Sequence, residues 1–305
     1  MNNLTIKQLR YFETLARTAH FGRAAEACAI SQPALSMQIK DLERELGAVL
    51  FERGARQLKL TQFGVEAVER ARAILRSVED LGDLARASRE RMVGRLRIGI
   101  IPTVAPYLLP AVIGDLTGAH PELDINIRET TTSKLIQELH EGRLDTAILA
   151  LPISEVSLAE KPLFSESFVL VRPAAQARDP LPDFQALREM RLLLLEEGHC
   201  FRDQALSFCN LQTVAPREVL DASSLSTLVQ MVAAGIGVTL IPEMAVPVET
   251  RCGSVCIARF AEPQPSRTIG MVWRKTSPLA PQLTEISDLV RSAAAKFYQK
   301  DPISP

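Results

Sequence analysis

Cys200 and Cys209 stand nine positions apart in the run Gly198-His199-Cys200-Phe201-Arg202-Asp203-Gln204-Ala205-Leu206-Ser207-Phe208-Cys209. These residue types fit thiol redox chemistry. A sensing thiol reacts as its thiolate, a form that cationic neighbours favour. His199 and Arg202 flank Cys200, and Asp203 is placed to position them or a bound oxidant. Peroxide converts a thiolate to a sulfenic acid, which a second thiol resolves as a disulfide; Cys209 is the nearest candidate. If Phe201 to Phe208 is helical, residues nine apart lie roughly 13–14 Å apart along the axis. A disulfide needs Cα atoms within about 7 Å. The helix must therefore break for the bond to form, and oxidation would refold a local segment and whatever packs on it. The bland alternative is that both cysteines are small buried hydrophobes.

The other thiols and imidazoles carry less. Five cysteines in 305 residues make no disulfide framework and point to a reducing compartment. Cys28 reads as core. Cys252 and Cys256 lie near a Gly-Ser turn with no histidine close in sequence, and His20, His120 and His140 have no ligand spacing. No metal or cofactor is expected.

The elements that must hold this run divide the chain in two. A length of 305 residues suits two domains, and 47% hydrophobic with 23% charged residues is a globular composition. The net charge of −1 excludes a uniformly basic nucleic-acid binder but not a small basic module on a near-neutral body. No apolar run reaches the ~20 residues that span a bilayer, and Met1 to Arg10 lacks the apolar stretch of a signal peptide. A cytoplasmic protein with no membrane partner is expected.

The first ninety residues, rich in Ala, Leu, Glu and Arg, read as helices. After Gly94, short β-branched runs alternate with helical stretches: Leu96 to Ile101, Ile125 to Ile127, Thr146 to Leu149, Phe168 to Val171, Val238 to Ile241 and Ile269 to Trp273. That alternation predicts α/β architecture with largely parallel sheets, with Met92–Gly94 as the boundary. One helical pattern without proline runs from Gln62 to about Ser88. Val68, Ala71, Leu75, Val78 and Ala85 approximate an a/d seam, broken at Gly82, which predicts a dimerising linker helix over a helix packed on its own chain.

The amino-terminal module opens with a capping box, Thr5-Ile6-Lys7-Gln8, and Ile6, Leu9, Phe12, Ala16 and Ala19 follow at helical spacing. A short helix over Gly22 to Cys28 comes next, then one that Ser31 caps and Pro33 enters in its first turn. Leu35, Ile39, Leu42 and Leu46 form its inner stripe; Pro33, Ser36, Met37, Lys40 and Arg44 lie opposite. Two helices joined by a short turn, the second offering small and polar residues, present themselves to a major groove this way. Val49 to Phe51 and Gln57 to Thr61 read as a hairpin wing. Residues 1–60 hold nine Lys/Arg against six acids, and Arg23, Arg53, Arg56 and Lys59 are candidates for phosphate contacts.

The spacing of Phe21-x-x-Ala24-Ala25, Ser31-Gln32-Pro33-Ala34-Leu35-Ser36, Ile39, Leu42-Glu43, Leu46-Gly47, Leu50-Phe51-x-Arg53 and Leu60-Thr61 closely resembles the winged helix-turn-helix of LysR-type transcriptional regulators. Phe63 departs from the family, which usually has alanine there; a packing change is expected. The resemblance implies a winged helix-turn-helix over 1–62, a linker helix over 63–93 and a regulatory domain over 94–305. That last domain would be like a type 2 periplasmic binding protein, two α/β subdomains flanking a cleft. It implies a homodimer to homotetramer, double-stranded promoter DNA and RNA polymerase as partners, and Arg23, Ser31, Gln32, Pro33, Ala34, Ser36, Met37, Lys40 and Arg53 as DNA-binding residues. Leu96-Arg97-Ile98-Gly99-Ile100 would be the first strand, with Pro102-Thr103 opening a helix at its carboxyl end, where such sheets bind ligands.

The cysteine run itself, together with Ile101-Pro102-Thr103-Val104, Pro106-Tyr107-Leu108-Leu109-Pro110, Met231-Val232-Ala233-Ala234-Gly235 and Arg267-Thr268-Ile269-Gly270, resembles the hydrogen-peroxide-sensing branch of the same family. On that resemblance Cys200 is the peroxidatic and Cys209 the resolving cysteine, and Thr103, Thr132, His199, Asp203 and Arg267 surround the peroxide. Phe201, Leu206 and Ser207 depart from the branch without removing a reacting group. The alternative is a LysR-type regulator answering to a small organic effector in the cleft, in which Cys200→Ser would leave the response intact. A thiol peroxidase leaves the helix-turn-helix unexplained. A solute-binding transport protein leaves the first ninety residues unexplained.

Overall fold

The computed structural model describes residues 4–52, 58–88, 92–182, 184–208, 220–251, 253–261 and 263–300. The chain forms two units, Met1–Ala85 and Arg86–Pro305.

The first unit holds α1 (Ile6–Thr18), α2 (Phe21–Ala27), α3 (Gln32–Leu46) and the body of α4 (Gln62–Ala87). Thr5 closes a complete capping box with Gln8 at the start of α1. The buried face of α1 is Tyr11, Phe12 and Leu15, while Ile6, in the first turn, stays exposed. Ser31 caps α3 through Ala34 N, and Gly47 ends it in a left-handed conformation, which glycine adopts without strain. Leu35, Ile39 and Leu42 face Phe12, Leu15, Ala24 and Ala25 in one core.

Past Gly47 the chain turns into the wing. The Glu43 carboxylate accepts from Leu50 N at 2.8 Å and Phe51 N at 3.4 Å, tying the wing to α3. Phe51 and Leu60 form an antiparallel bridge, and Thr61 Oγ1 donates to Val49 O at 2.7 Å and accepts from Gly64 N at 2.9 Å. A Cβ on Gly64 would lie 2.2 Å from Leu50 O, so α4 can start against the wing only with glycine there. Phe63 is exposed rather than packed into this core.

The second unit contains β1 (Gly94–Ile100), α5 (Ala105–Ala119), β2 (Leu123–Glu129), α6 (Thr132–His140), β3 (Thr146–Leu151), β4 (Leu158–Pro173), α7 (Phe184–Glu189) and β5 (Leu193–Leu195). It continues through α8 (Cys200–Phe208), β6 (Leu220–Ala222), α9 (Leu225–Ala233), β7 (Thr239–Pro242), α10 (Val246–Glu249), β8 (Val255–Arg259), β9 (Ser266–Arg274) and α11 (Ala280–Lys300). The main sheet runs β2-β1-β3-β9-β4-β7, with β8 also on β4.

The expectation of largely parallel sheets is corrected here. The β1–β2, β1–β3 and β5–β6 pairs are parallel, but β9 and β4 pair antiparallel with each other and with β3, β7 and β8. The reason is connectivity: β4 runs its first ten residues along β9 and its last six between β7 and β8. The long strands thus carry the chain from the β1–β3 half to the β5–β7 half and back. The predicted run at Phe168 to Val171 covers only the second part of β4. Its first part, Leu158–Ser167, is interrupted by the polar runs Glu160-Lys161 and Ser165-Glu166-Ser167 and contains Pro162, which hides it from an apolar-run criterion.

Candidate functional site

The second unit brings a cluster of the sequence-predicted residues to the carboxyl end of β1. Ile101, Pro102 and Thr103 form the turn before α5, which starts two residues later than expected, at Ala105. Thr131 and Thr132 open α6, and His199, Cys200 and Phe201 form the start of α8. These eight residues line one narrow cleft in which no room remains for a water-sized molecule.

Cys200 is a half-buried free thiol, the first residue of α8. Across the cleft, Thr132 Oγ1 is buried without a hydrogen-bond partner among the described residues. An unpaired buried hydroxyl costs free energy that a small polar ligand would recover. Thr103, also buried, accepts a hydrogen bond at Oγ1 from Arg267 Nη1 at 2.9 Å, and its carbonyl accepts from Nη2 at 3.2 Å.

Arg267 therefore stands behind Thr103 rather than on the cleft wall. Its Nε and Nη2 bind the Glu166 carboxylate at 2.8 and 2.7 Å. Its guanidinium carbon lies 5.3 Å from the Phe201 ring centre and 5.9 Å from that of Phe168, and the two rings meet edge to face.

His199 and Arg202 behave differently from the pair of cations expected beside Cys200. Burial pushes the His199 imidazole below its ordinary pKa, with Glu196 pulling weakly the other way, so the ring is neutral at pH 7. Arg202 donates to Leu195 O at 2.8 Å and pairs with Asp221. Asp203 is exposed in the first turn of α8 and is not among the residues that line the cleft. Cys209 lies outside the described residues, as do Cys252, Arg53, Arg56 and Gln57.

Glu166 and Phe168 escaped the sequence reading. Both lie on β4, Glu166 opposite Arg267 of β9 and Phe168 opposite Pro242 of β7, and the signal available for Glu166 was the pairing register that sets it against Arg267.

In the first unit, Arg23, Ser31, Gln32, Pro33, Met37 and Lys40 are exposed, while Ala34 and Ser36 are half-buried on the same helix, α3. Five of these eight thus project from the α2–α3 turn and α3, and Arg23 projects from α2; a helix-turn-helix lays such a surface against a groove.

Family comparison places both units. Residues 6–65 match the bacterial regulatory helix-turn-helix protein, lysR family, and residues 89–295 match the LysR substrate binding domain. The hydrogen peroxide-inducible genes activator of Dickeya chrysanthemi is 44% identical over 97% of this chain and 98% of its own. Among solved structures, a full-length OxyR from Pseudomonas aeruginosa with cysteine replaced by aspartate has a TM-score of 0.75 at 37% identity, covering 95% of this chain and 96% of that one. A hydrogen-peroxide-bound OxyR cysteine mutant from Corynebacterium glutamicum has a TM-score of 0.66 at 34% identity, covering 96% and 93%. The chain belongs to the LysR family of bacterial transcriptional regulators, among the hydrogen peroxide-inducible genes activators.

Proposed function

We propose that this regulator senses hydrogen peroxide through Cys200 and is switched by a reversible disulfide between Cys200 and Cys209, controlling oxidative-stress genes at double-stranded promoter sites in the cytoplasm. The observation that carries the reading is the cleft where Cys200 faces Thr103 and an unpartnered Thr132 hydroxyl. As it stands this cleft has no room for even a water-sized molecule, far short of the roughly 300–1,000 Å³ of drug-sized ligand pockets. A drug-sized organic effector would need a far larger opening of this cleft than an oxidant of two heavy atoms.

In the proposed first step, the Cys200 thiolate attacks one peroxide oxygen. The S–O bond forms, the O–O bond breaks, and hydroxide leaves and is protonated to water. The Cys209 thiol then attacks the sulfenic sulfur, forming the disulfide and releasing a second water. Cys200 begins a nine-residue helix, so pairing with Cys209 requires that helix to open. Thr103, Thr132 and His199 would hold the peroxide, Arg267 would act from behind Thr103, and Asp203 would act once α8 rearranges.

On the DNA side, Arg23, Ser31, Gln32, Pro33, Ala34, Ser36, Met37, Lys40 and Arg53 would meet the duplex, and RNA polymerase would be the partner in activation. The oligomer would form through α4. Val68 and Ala71, the first members of the expected seam, are buried in the amino-terminal core, whereas Ile74, Val78, Leu81 and Leu84 are exposed. An exposed apolar stripe at this spacing supports helix pairing.

Non-reducing peptide mapping after stoichiometric hydrogen peroxide tests the switch. A Cys200–Cys209 disulfide with Cys28, Cys252 and Cys256 still free is the expected result. Unmodified Cys200 and Cys209 would sink the proposal.

A further inference from the structure

We infer that Glu166 is a positioning residue for peroxide reduction: through Arg267 it fixes the Thr103 hydroxyl as a hydrogen-bond donor aimed at the Cys200 cleft. The inference rests on the proposed oxidation of Cys200 and adds a residue that no sequence motif singled out.

Glu166 on β4 and Arg267 on β9 are register partners across the antiparallel ladder. Their side chains are 0% and 1% exposed. A buried charge persists only when paired and hydrogen-bonded, and here the pairing is directional. Two of the guanidinium nitrogens, Nε and Nη2, are taken by one carboxylate oxygen. That anchorage aims Nη1 at Thr103 Oγ1 and leaves Nη2 in reach of Thr103 O. The Phe168 and Phe201 rings stand beside the guanidinium and leave the planar fork little room to turn.

The consequence for Thr103 follows from the inventory of donors. Arginine has no acceptor, so Thr103 Oγ1 can only receive its hydrogen bond. The hydroxyl proton is then available for donation, and among the described residues Thr103 Oγ1 donates to no protein group. Thr103 lines the cleft with Cys200, so a ligand there is the acceptor. When the Cys200 thiolate attacks one oxygen of hydrogen peroxide, the other departs as hydroxide and carries the developing negative charge. Sulfur loses two electrons, the peroxide oxygens gain them, and a solvent proton completes the water. A preset donor stabilises that departing oxygen. With Glu166 neutralised, Arg267 loses its anchor and Thr103 loses its fixed polarity.

The test uses the full chain carrying Cys209→Ser, which stops the reaction at the first step. Two rate constants are followed at the Cys200 peptide by mass spectrometry: sulfenic acid formation by hydrogen peroxide, and alkylation by iodoacetamide. Alkylation needs the thiolate but not an aimed oxygen acceptor, so the ratio of the two rates removes changes in thiolate fraction and access. Thr103→Val should lower the ratio by about a hundredfold, the scale of one lost donor. Glu166→Gln should lower it by about tenfold, because the donor survives but is no longer aimed. In the Thr103→Val background, Glu166→Gln should lower it no further.

A Glu166→Gln ratio within about twofold of the parent, or a double variant at the product of the two losses, overturns the inference. If Glu166→Gln does not fold, Glu166→Asp keeps the charge at shorter reach. A smaller loss that vanishes beside Thr103→Val is then expected, and an unchanged ratio overturns the inference. Failure of the parent Cys200 to form a sulfenic acid would instead refute the peroxide reading itself.

Discussion

The phenol of Tyr107 donates a 2.7 Å hydrogen bond to the Glu249 carboxylate, joining α5 on one half of the regulatory unit to α10 on the other. Burial, then Glu249, raises the Tyr107 pKa far above its ordinary value, so the phenol stays a donor throughout the neutral range. A hydrogen bond to a charged group contributes roughly 1.5–3 kcal/mol. Tyr107→Phe removes the donor with little change of shape. The regulatory unit should lose about that much stability in urea unfolding, with the slope on denaturant preserved. An unchanged midpoint would mean that water replaces the phenol at no cost.

His199 gives the site a pH dependence whose sign is fixed. Its folded pKa is depressed by burial below its ordinary value of 6.5. Above that value both folded and unfolded forms are neutral and pH changes nothing. As pH falls below it, the unfolded chain takes up the proton first, so the folded form loses stability until its own lower pKa is passed. Melting temperature followed from pH 7.5 to pH 5 should fall more steeply for the parent chain than for His199→Asn. Equal slopes would show that this imidazole is not the group responsible.

Gly64 separates the two units by function. A methyl group at this position meets the Leu50 carbonyl at 2.2 Å, and backbone must shift to admit it. Gly64→Ala should therefore displace the wing from α4 and weaken promoter binding. Cys200 oxidation, carried by the other unit, should proceed at the parent rate. A footprinting titration beside a thiol assay reads both; a variant with full DNA affinity would contradict the packing argument.

The exposed stripe of α4 makes a similar claim about assembly. Leu81 is 69% exposed and lies with Val78 and Leu84 beyond the amino-terminal core. Leu81→Asp would cost little in an isolated chain but would place a charge in a paired helix seam. Sedimentation should show a shift toward smaller species with DNA affinity falling alongside. An unchanged assembly state would move the interface elsewhere.

Much of this architecture was legible in the residues. Caps, turn glycines and apolar stripes located α1 to α3, because local backbone chemistry decides those elements. The thiol run was legible because reacting groups cannot be exchanged for others. What the sequence hid was made by long-range pairing. The first part of β4 carries a proline and exposed polar residues, and only its partner β9 turns it into a strand. Glu166 reads as an ordinary surface acid until the β4–β9 register sets it against Arg267. The charge state of His199 was misjudged for a related reason: burial, not sequence neighbours, decides it.

In the proposed switch, Phe201 ties the buried network to the Cys200–Cys209 pair. It follows Cys200 directly in α8, is 2% exposed, meets Phe168 edge to face at 5.1 Å and stands 5.3 Å from Arg267. Opening the first turn of α8 to bring Cys200 toward Cys209 must withdraw this ring from both contacts. They then stabilise the dithiol form alone. An aromatic pair contributes roughly 0.5–1.5 kcal/mol beyond its burial, and for a two-electron couple about 30 mV corresponds to 1.4 kcal/mol. Phe201→Leu keeps an apolar side chain but loses the ring contacts. The reduced form is destabilised, reduction becomes less favourable, and the disulfide potential should move roughly 10–30 mV more negative. Equilibration in glutathione buffers with mass-spectrometric readout of the Cys200 peptide measures it. A potential that stays fixed or moves positive would mean that Phe201 keeps its place in both redox states, and that α8 opens beyond its first turn.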